Sequence, residues 1–177
     1  ASSNTRQGKW LASLACWVGR TIGQPISILE VGTCAGISGS YLLAGMSEAN
    51  GGRLITFEGS PEIAELARKN MDTLIRDNSL QGVEYDIIIG PFEDTLSEFL
   101  QAPGDALHLA FIDGNHIKEA TLEYHGQVRK RMHELGVIIH DDIAWSDGMA
   151  DAWRIIQQKE GIGRTAVLNQ GGLPSRG

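Results

Sequence analysis

The sequence predicts an α/β protein, with a mostly parallel, doubly wound sheet and helices on both faces. Three observations carry this. Short apolar runs alternate along the whole chain with longer stretches striped at helical spacing. The first run, Ile26 to Val31, ends in a glycine-flanked loop that opens into a helix-like segment, Ile37 to Met46. Polar residues follow the successive runs at the strand ends, where open parallel sheets place their ligands. With no composition shift and no internal repeat, residues 1–177 are expected to form a single domain.

Residues 1–8 are polar and expected to fray. Trp10, Leu11, Leu14, Ala15 and Val18 recur at helical spacing, so 9–20 reads as a helix covering one sheet edge, with Trp10 and Trp17 as packing residues. After strand one and its helix, Gly51-Gly52 marks a turn, and Arg53 to Phe57 reads as strand two, ending at Glu58. Ser60-Pro61 is a helix start, with serine as cap and proline in the first turn. Ile63, Leu66, Ala67, Met71 and Leu74 stripe that helix. Val83 to Ile89 is strand three, closed by Gly90-Pro91, and a short helix runs from Glu93 to Leu100. Ala106 to Ile112 is strand four, ending at Asp113-Gly114-Asn115-His116; Ile117, Ala120, Tyr124 and Val128 stripe the next helix. Gly136 to Ile139 is strand five, ending at His140-Asp141-Asp142, followed by a helix striped by Met149, Trp153 and Ile156 and a last strand over Gly163 to Leu168.

Composition narrows the class. A chain of 177 residues can bury a substantial core, and 42% apolar with 21% charged residues is an ordinary globular balance. A net charge of −7 without a basic run argues against a nucleic-acid partner. Leu11 to Val18 is too short to span a bilayer and holds Ser13 and Cys16, so no membrane association is expected. No basic leader or cleavage signature precedes it, which points to a cytoplasmic protein; the start at Ala1 leaves room for a longer natural N-terminus. Two cysteines, Cys16 and Cys34, make neither a disulfide framework nor a zinc site.

The chemistry-bearing residues fall at the strand ends. Gly32 and Gly36 allow a sharp turn and close ligand approach, and the following helix points its first N–H groups at that ligand. The pattern is Glu-x-Gly-x-x-x-Gly, with Cys34 where a dinucleotide fingerprint has its second glycine. A nucleoside with a small zwitterionic tail therefore fits better than a diphosphate, and a ligand-free turn is the plain alternative. Glu58 is placed to accept from both hydroxyls of a ribose, or is a solvated strand end. Glu30 closes an apolar strand and must find partners, either loop N–H groups or a ligand ammonium. Phe92 and Glu93 are placed to meet a flat base and its amino group, or simply to open a helix.

Asp113, Asp141 and Asp142 are expected to meet, because strands four and five are neighbours. Three carboxylates at one point call for a cation, and an all-oxygen set suits Mg²⁺ or Ca²⁺. The alternative is a set of strand-end and helix-cap residues. His116, read as lying in the first turn of a helix, is suited to general-base work beside such an ion. His108, His125, His133 and His140 have no comparable setting, although His140 adjoins the aspartate pair.

Together, the loop Glu30 to Ser38, the acidic Glu58, the Phe-Ile-Asp-Gly-Asn-His run 111–116 and the Ile-Ile-His-Asp-Asp-Ile run 138–143 resemble class I S-adenosylmethionine-dependent methyltransferases. Within that class the chain is similar to the cation-dependent O-methyltransferases of the catechol and caffeoyl-CoA type and their bacterial natural-product relatives. The resemblance covers roughly residues 7 to 160. It implies a Rossmann-like fold and S-adenosyl-L-methionine as cofactor. The methionine part would be held by Glu30, Gly32, Thr33, Cys34, Gly36 and Ser38, the ribose by Glu58 beside Gly59, and the adenine by Phe92 and Glu93. It implies Mg²⁺ on Asp113, Asp141 and Asp142, with Asp113 also at the cofactor side, and His116 where relatives carry a lysine or histidine base. Asp142 departs from the catechol pattern, which often has asparagine there.

The expected reaction is methyl transfer to a hydroxyl of a small molecule with two vicinal oxygens, a catechol or a sugar diol. Trp145 is either a wall of the acceptor pocket or a core residue. A metal-independent methyltransferase of the same fold and a non-catalytic nucleotide-binding protein are the rival readings, with a dehydrogenase a distant third. Relatives are often dimers, so a homodimer is one expected assembly. The family closes its sheet with two more strands; only 16 residues follow Gly161, so the expectation is a shortened chain or an edge completed by another subunit.

Overall fold

Strand order follows from where the apolar runs fall and from the rule that parallel strands need helical crossovers. The computed structural model describes residues 5–161 and 164–167. Its elements are α1 (Thr5–Ile22), β1 (Ile26–Val31), α2 (Ile37–Ser47), β2 (Gly52–Glu58), α3 (Pro61–Asp77), β3 (Val83–Ile89), α4 (Phe92–Gln101), β4 (Leu107–Ile112), α5 (Lys118–Arg131), β5 (Met132–His140) and α6 (Asp147–Glu160). The five strands form one sheet in the order β3-β2-β1-β4-β5, and every neighbouring pair is parallel.

Side-chain alternation sorts the core into two layers. Ile28, Leu54, Leu109 and Phe111 face α1 and α2, packing with Leu11, Ala15, Val18, Leu42, Leu43 and Met46. Leu29, Val31, Phe57, Ala110 and Ile112 face the other way and pack with Leu96 of α4 and Tyr124 and Val128 of α5. Helices therefore cover both faces, as the alternating pattern predicts.

Several expectations are corrected. The first helix begins at Thr5 and lies over a sheet face rather than an edge; Trp17 stays 56% exposed and packs little. The buried stripe of α3 is Ala64, Ala67 and Met71, while Ile63 and Leu66 face out. Strand five starts at Met132, four residues before the expected Gly136. Residues 164–167 hold no strand, and the expected strand's ends, Gly163 and Leu168, lie outside the described residues. Among the described residues β5 pairs only with β4.

Candidate active site

All five strands point the same way, so their C-terminal tips share one edge, and the residues singled out above collect there. Backbone bonds fix the tips to one another. Gly90 N–H donates to Glu58 O at 3.0 Å, Gly32 N–H to Phe57 O at 3.1 Å, Asp113 N–H to Val31 O at 2.9 Å and Asp141 N–H to Ile112 O at 3.0 Å.

The glycine loop is built around Gly32. Its φ is +100°, and a Cβ there would stand 2.6 Å from the Asp113 carbonyl oxygen, so only glycine fits on both counts. Gly36, at φ +75°, is the N-cap of α2 and supplies no side-chain cap. The first N–H groups of that helix remain free of a capping side chain, an anion- and dipole-seeking surface at the loop. Cys34 is exposed at φ +47° and donates its N–H to Glu58 Oε2 at 2.9 Å. Glu58 Oε1 accepts from Ser60 N–H at 3.0 Å. Glu58 thus staples two loops together, a duty beyond the ribose contact expected of it, and each oxygen keeps further lone pairs for a ligand. Gly59 is exposed, with open space around its Cα.

Glu30 is fully buried. Thr56 Oγ1 donates to its Oε2 at 2.6 Å, and Thr56 shares a 2.6 Å bond with Thr33 Oγ1. Burial drives the Glu30 carboxyl up to about 7, against the pull of the Ser38 and Thr56 hydroxyls. Its other oxygen, Oε1, is buried with no hydrogen-bond partner among the described residues. A buried, unpaired carboxylate oxygen beside a glycine loop is an acceptor in need of a donor. The Thr33–Thr56 pair was not legible in the sequence, because Thr56 lies inside an apolar run with nothing to mark it.

Phe92 is half-buried and stands edge-on to Tyr124, with centroids 6.5 Å apart, and against Gly114. Glu93 is exposed in the first turn of α4.

On the other side of Gly32, Asp113, His116 and Asp142 come together: one ligand atom from each lies within 4.8 Å of the others. His116 Nε2 is 3.9 Å from Asp113 Oδ1 and 3.6 Å from Asp142 Oδ2. His116 lies before α5, which starts at Lys118, rather than in its first turn. Asp142, at φ +50°, has a buried Oδ2 with no hydrogen-bond partner among the described residues. Burial, and then the charges of Asp141, Asp142 and Glu30, push the Asp113 carboxyl up to about 8. Asp141 falls outside that 4.8 Å group, yet its charge acts on Asp113 ahead of that of Asp142. Its Oδ1 accepts from Asp142 N–H at 2.9 Å, and its Oδ2 accepts from the side-chain amide of Gln7. Asp113 and Asp142 of the expected aspartate trio meet His116 directly, and Asp141 lies near enough for its charge to raise Asp113. Gln7 was missed, because the sequence shows only a polar segment there.

Trp145 is 65% exposed, and its ring centre lies 5.7 Å from that of His116. The core alternative for Trp145 is thereby excluded. His140 lines a groove of about 1070 Å³ with Gln7, Trp10, Asp141, Asp142 and Trp153. Burial holds His140 down to about 3, hence neutral. Its Nε2 pairs with His125 Nδ1 at 3.0 Å, and His125 Nε2 with Glu160 Oε1 at 3.2 Å.

The chain and its fold have counterparts among known proteins. Residues 29–143 match the family model described as "Methyltransferase domain". The chain is 32% identical over 146 residues to a catechol O-methyltransferase of Mycobacterium tuberculosis, covering 82% of this chain and 59% of that protein. A catechol O-methyltransferase of Niastella koreensis is 31% identical over 147 residues, covering 83% and 60%. The chain thus spans about three-fifths of the length of these relatives. Among solved structures, an O-methyltransferase from Bacillus cereus in complex with SAH superposes with a TM-score of 0.71 at 25% identity, over 89% of this chain and 71% of that one.

Proposed function

The chain belongs to the methyltransferase-domain family, and from that membership we propose that it is an S-adenosylmethionine-dependent O-methyltransferase. The acceptor is a small molecule with two neighbouring oxygens, a catechol or a sugar diol, and a divalent cation, Mg²⁺ or a similar ion, assists. One observation carries the reading. The glycine loop packs directly on the tip that bears Asp113, so a donor on the loop and a cation held by Asp113, Asp141 and Asp142, with His116 beside it as base, would share one wall.

The residues fit both groups. Glu30 Oε1 is a buried acceptor without a donor, suited to the cofactor's ammonium, and Glu58 keeps lone pairs toward a ribose. Asp113 and Asp142 offer hard oxygen donors, and burial followed by the neighbouring acidic charges pushes the Asp113 carboxyl up to about 8, so the cluster favours added positive charge. S-adenosylmethionine supplies a methyl group on a sulfonium centre. The cation supplies Lewis acidity that makes the acceptor hydroxyl easier to ionise.

The chain does the rest. Gly32 lets the loop lie flat against Asp113, which fixes the distance between cofactor and acceptor positions. His116 takes the hydroxyl proton at Nε2, and the two carboxylates beside it favour the imidazolium that forms. Trp145 gives the acceptor a flat apolar wall next to His116.

The test is calorimetric titration with S-adenosylhomocysteine, with and without Mg²⁺ and catechol, followed by turnover in EDTA. We expect binding that tightens when Mg²⁺ and catechol are both present, and turnover abolished by EDTA. Turnover that survives EDTA would favour the metal-independent reading, and absence of S-adenosylhomocysteine binding would reject methyl transfer outright.

A further inference from the structure

We infer that Gln7 is a positioning residue of the cation seat, acting through Asp141. The inference rests on the cation reading above. Residues 1–8 read as a frayed polar tail in the sequence, yet the helix starts at Thr5 and sets Gln7 over the strand-five tip.

Two features hold Gln7 there. Gly8 is buried, and a Cβ on it would stand 2.1 Å from the Tyr41 ring, so α1 approaches α2 as closely as a glycine permits. Leu11, one turn further on, is fully buried in the core. The first turn of α1 is therefore docked against the body of the protein.

From that position the Gln7 amide donates to Asp141 Oδ2. The opposite oxygen, Oδ1, accepts the Asp142 N–H, and the Asp141 N–H is bonded to Ile112 O. Asp141 is thus a carboxylate staple with α1 on one side and the Asp142 backbone on the other. Asp142 needs this staple. Its φ of +50° is a conformation that side-chain-bearing residues adopt reluctantly, and in it the unpartnered Oδ2 lies beside His116. Without the Gln7 amide, the Asp141 Oδ2 loses a donor beside the charges of Asp113 and Asp142, and repulsion turns it and its loop away. Partners that orient metal ligands in this indirect way change cation affinity by about 10–100-fold when removed.

The test is calorimetric titration of the protein with Mn²⁺ alone, for wild type, Gln7→Leu, Asp141→Asn and the double variant, with S-adenosylhomocysteine affinity measured separately in metal-free buffer. Gln7→Leu is expected to weaken Mn²⁺ binding about tenfold or more, with S-adenosylhomocysteine affinity unchanged within about twofold. Because Gln7 works through Asp141, adding Gln7→Leu to Asp141→Asn is expected to produce little further loss. An unchanged Mn²⁺ affinity in Gln7→Leu, or an equal loss in both backgrounds, overturns the inference. A variant that loses Mn²⁺ and S-adenosylhomocysteine alike also overturns it, since that is general damage rather than positioning. Wild-type protein that binds S-adenosylhomocysteine but no Mn²⁺ overturns the cation reading itself, and Gln7's role falls with it.

Discussion

Asp113→Asn is the perturbation that most directly tests the cation seat, because its effect reverses sign with the cation. Burial and the neighbouring carboxylates raise the Asp113 carboxyl from 3.8 to about 8 in the folded protein. Between those values the folded state keeps a proton that the unfolded chain has released, so metal-free stability falls as pH rises through the window. From pH 7 to pH 8 a single group with these values loses about 1 kcal/mol. Glu30, raised to about 7, adds to the slope mainly below pH 7. The depressed histidines, still partly charged in the unfolded chain near pH 7, oppose that slope, so it is the difference between wild type and Asp113→Asn that isolates Asp113. For a chain of this size, about 1 kcal/mol is about 2–4 °C in melting temperature.

Thermal melts in EDTA should therefore show wild type losing that much from pH 7 to pH 8, while Asp113→Asn stays level. With Mg²⁺ at about 100 times its dissociation constant, wild type should gain about 2.7 kcal/mol, and Asp113→Asn little. A level wild-type profile in EDTA, or equal Mg²⁺ stabilisation of both proteins, would refute the crowded-carboxylate account of this site.

The remaining sites give narrower expectations. Glu58→Gln replaces a double acceptor with one carbonyl oxygen, leaving Cys34 N–H or Ser60 N–H unpaired; S-adenosylhomocysteine affinity, measured by calorimetry, should drop about tenfold or more, consistent with about 1–3 kcal/mol for an unsatisfied group. Removing the imidazole in His116→Ala should lower kcat about 10²–10⁴-fold with cofactor affinity intact, and part of the rate should return at alkaline pH, where the acceptor ionises without help. Gly32→Ala puts a methyl group 2.6 Å from the Asp113 carbonyl at φ +100°, and urea unfolding should show a loss of about 1–3 kcal/mol together with weakened cofactor binding.

Much of the architecture was readable because the strands are bounded by punctuation. Ile26–Val31 and Val83–Ile89 match the expected strands to the residue, since turn-forming residues flank a largely apolar run in the first and an apolar–polar alternation that ends in three isoleucines in the second. Strand five was shortened because Met132-His133-Glu134-Leu135 lacks a clear period, and this part of the ladder is irregular, with a register shift between Leu107 and Leu109. The stripe on α3 was misplaced because Ile63 and Leu66 outweigh alanine in any hydrophobic count. The structure buries Ala67 and Met71 as expected and adds Ala64, and Ala67 lies against the Gly36 turn. Glu30, Glu58, Asp113 and Asp142 were legible because strand tips fix their place. Gln7 was not: it meets Asp141 across 134 residues of sequence, and no local pattern announces such a contact.

That contrast separates the site into two kinds of part. The tips of all five strands are tied across the sheet by Gly90, Gly32, Asp113 and Asp141 N–H bonds of 2.9–3.1 Å. Backbone bonds of this kind do not depend on side-chain identity, so the fold itself delivers the carboxylates at Glu58, Asp113 and Asp141 to a common edge. Beyond the tips that guarantee ends. Asp142 bends back at positive φ, His116 precedes its helix, Trp145 stands in solvent, and Gln7 arrives from the far end of the chain. None of these residues is tied to the sheet by an inter-strand backbone bond; local backbone bonds, as in α1 and from Trp145 N–H to Asp142 O, and side-chain contacts place them. Each can change without disturbing the sheet, and acceptor choice and cation affinity are accordingly expected to vary at them, while the cofactor loop stays bound to the fold.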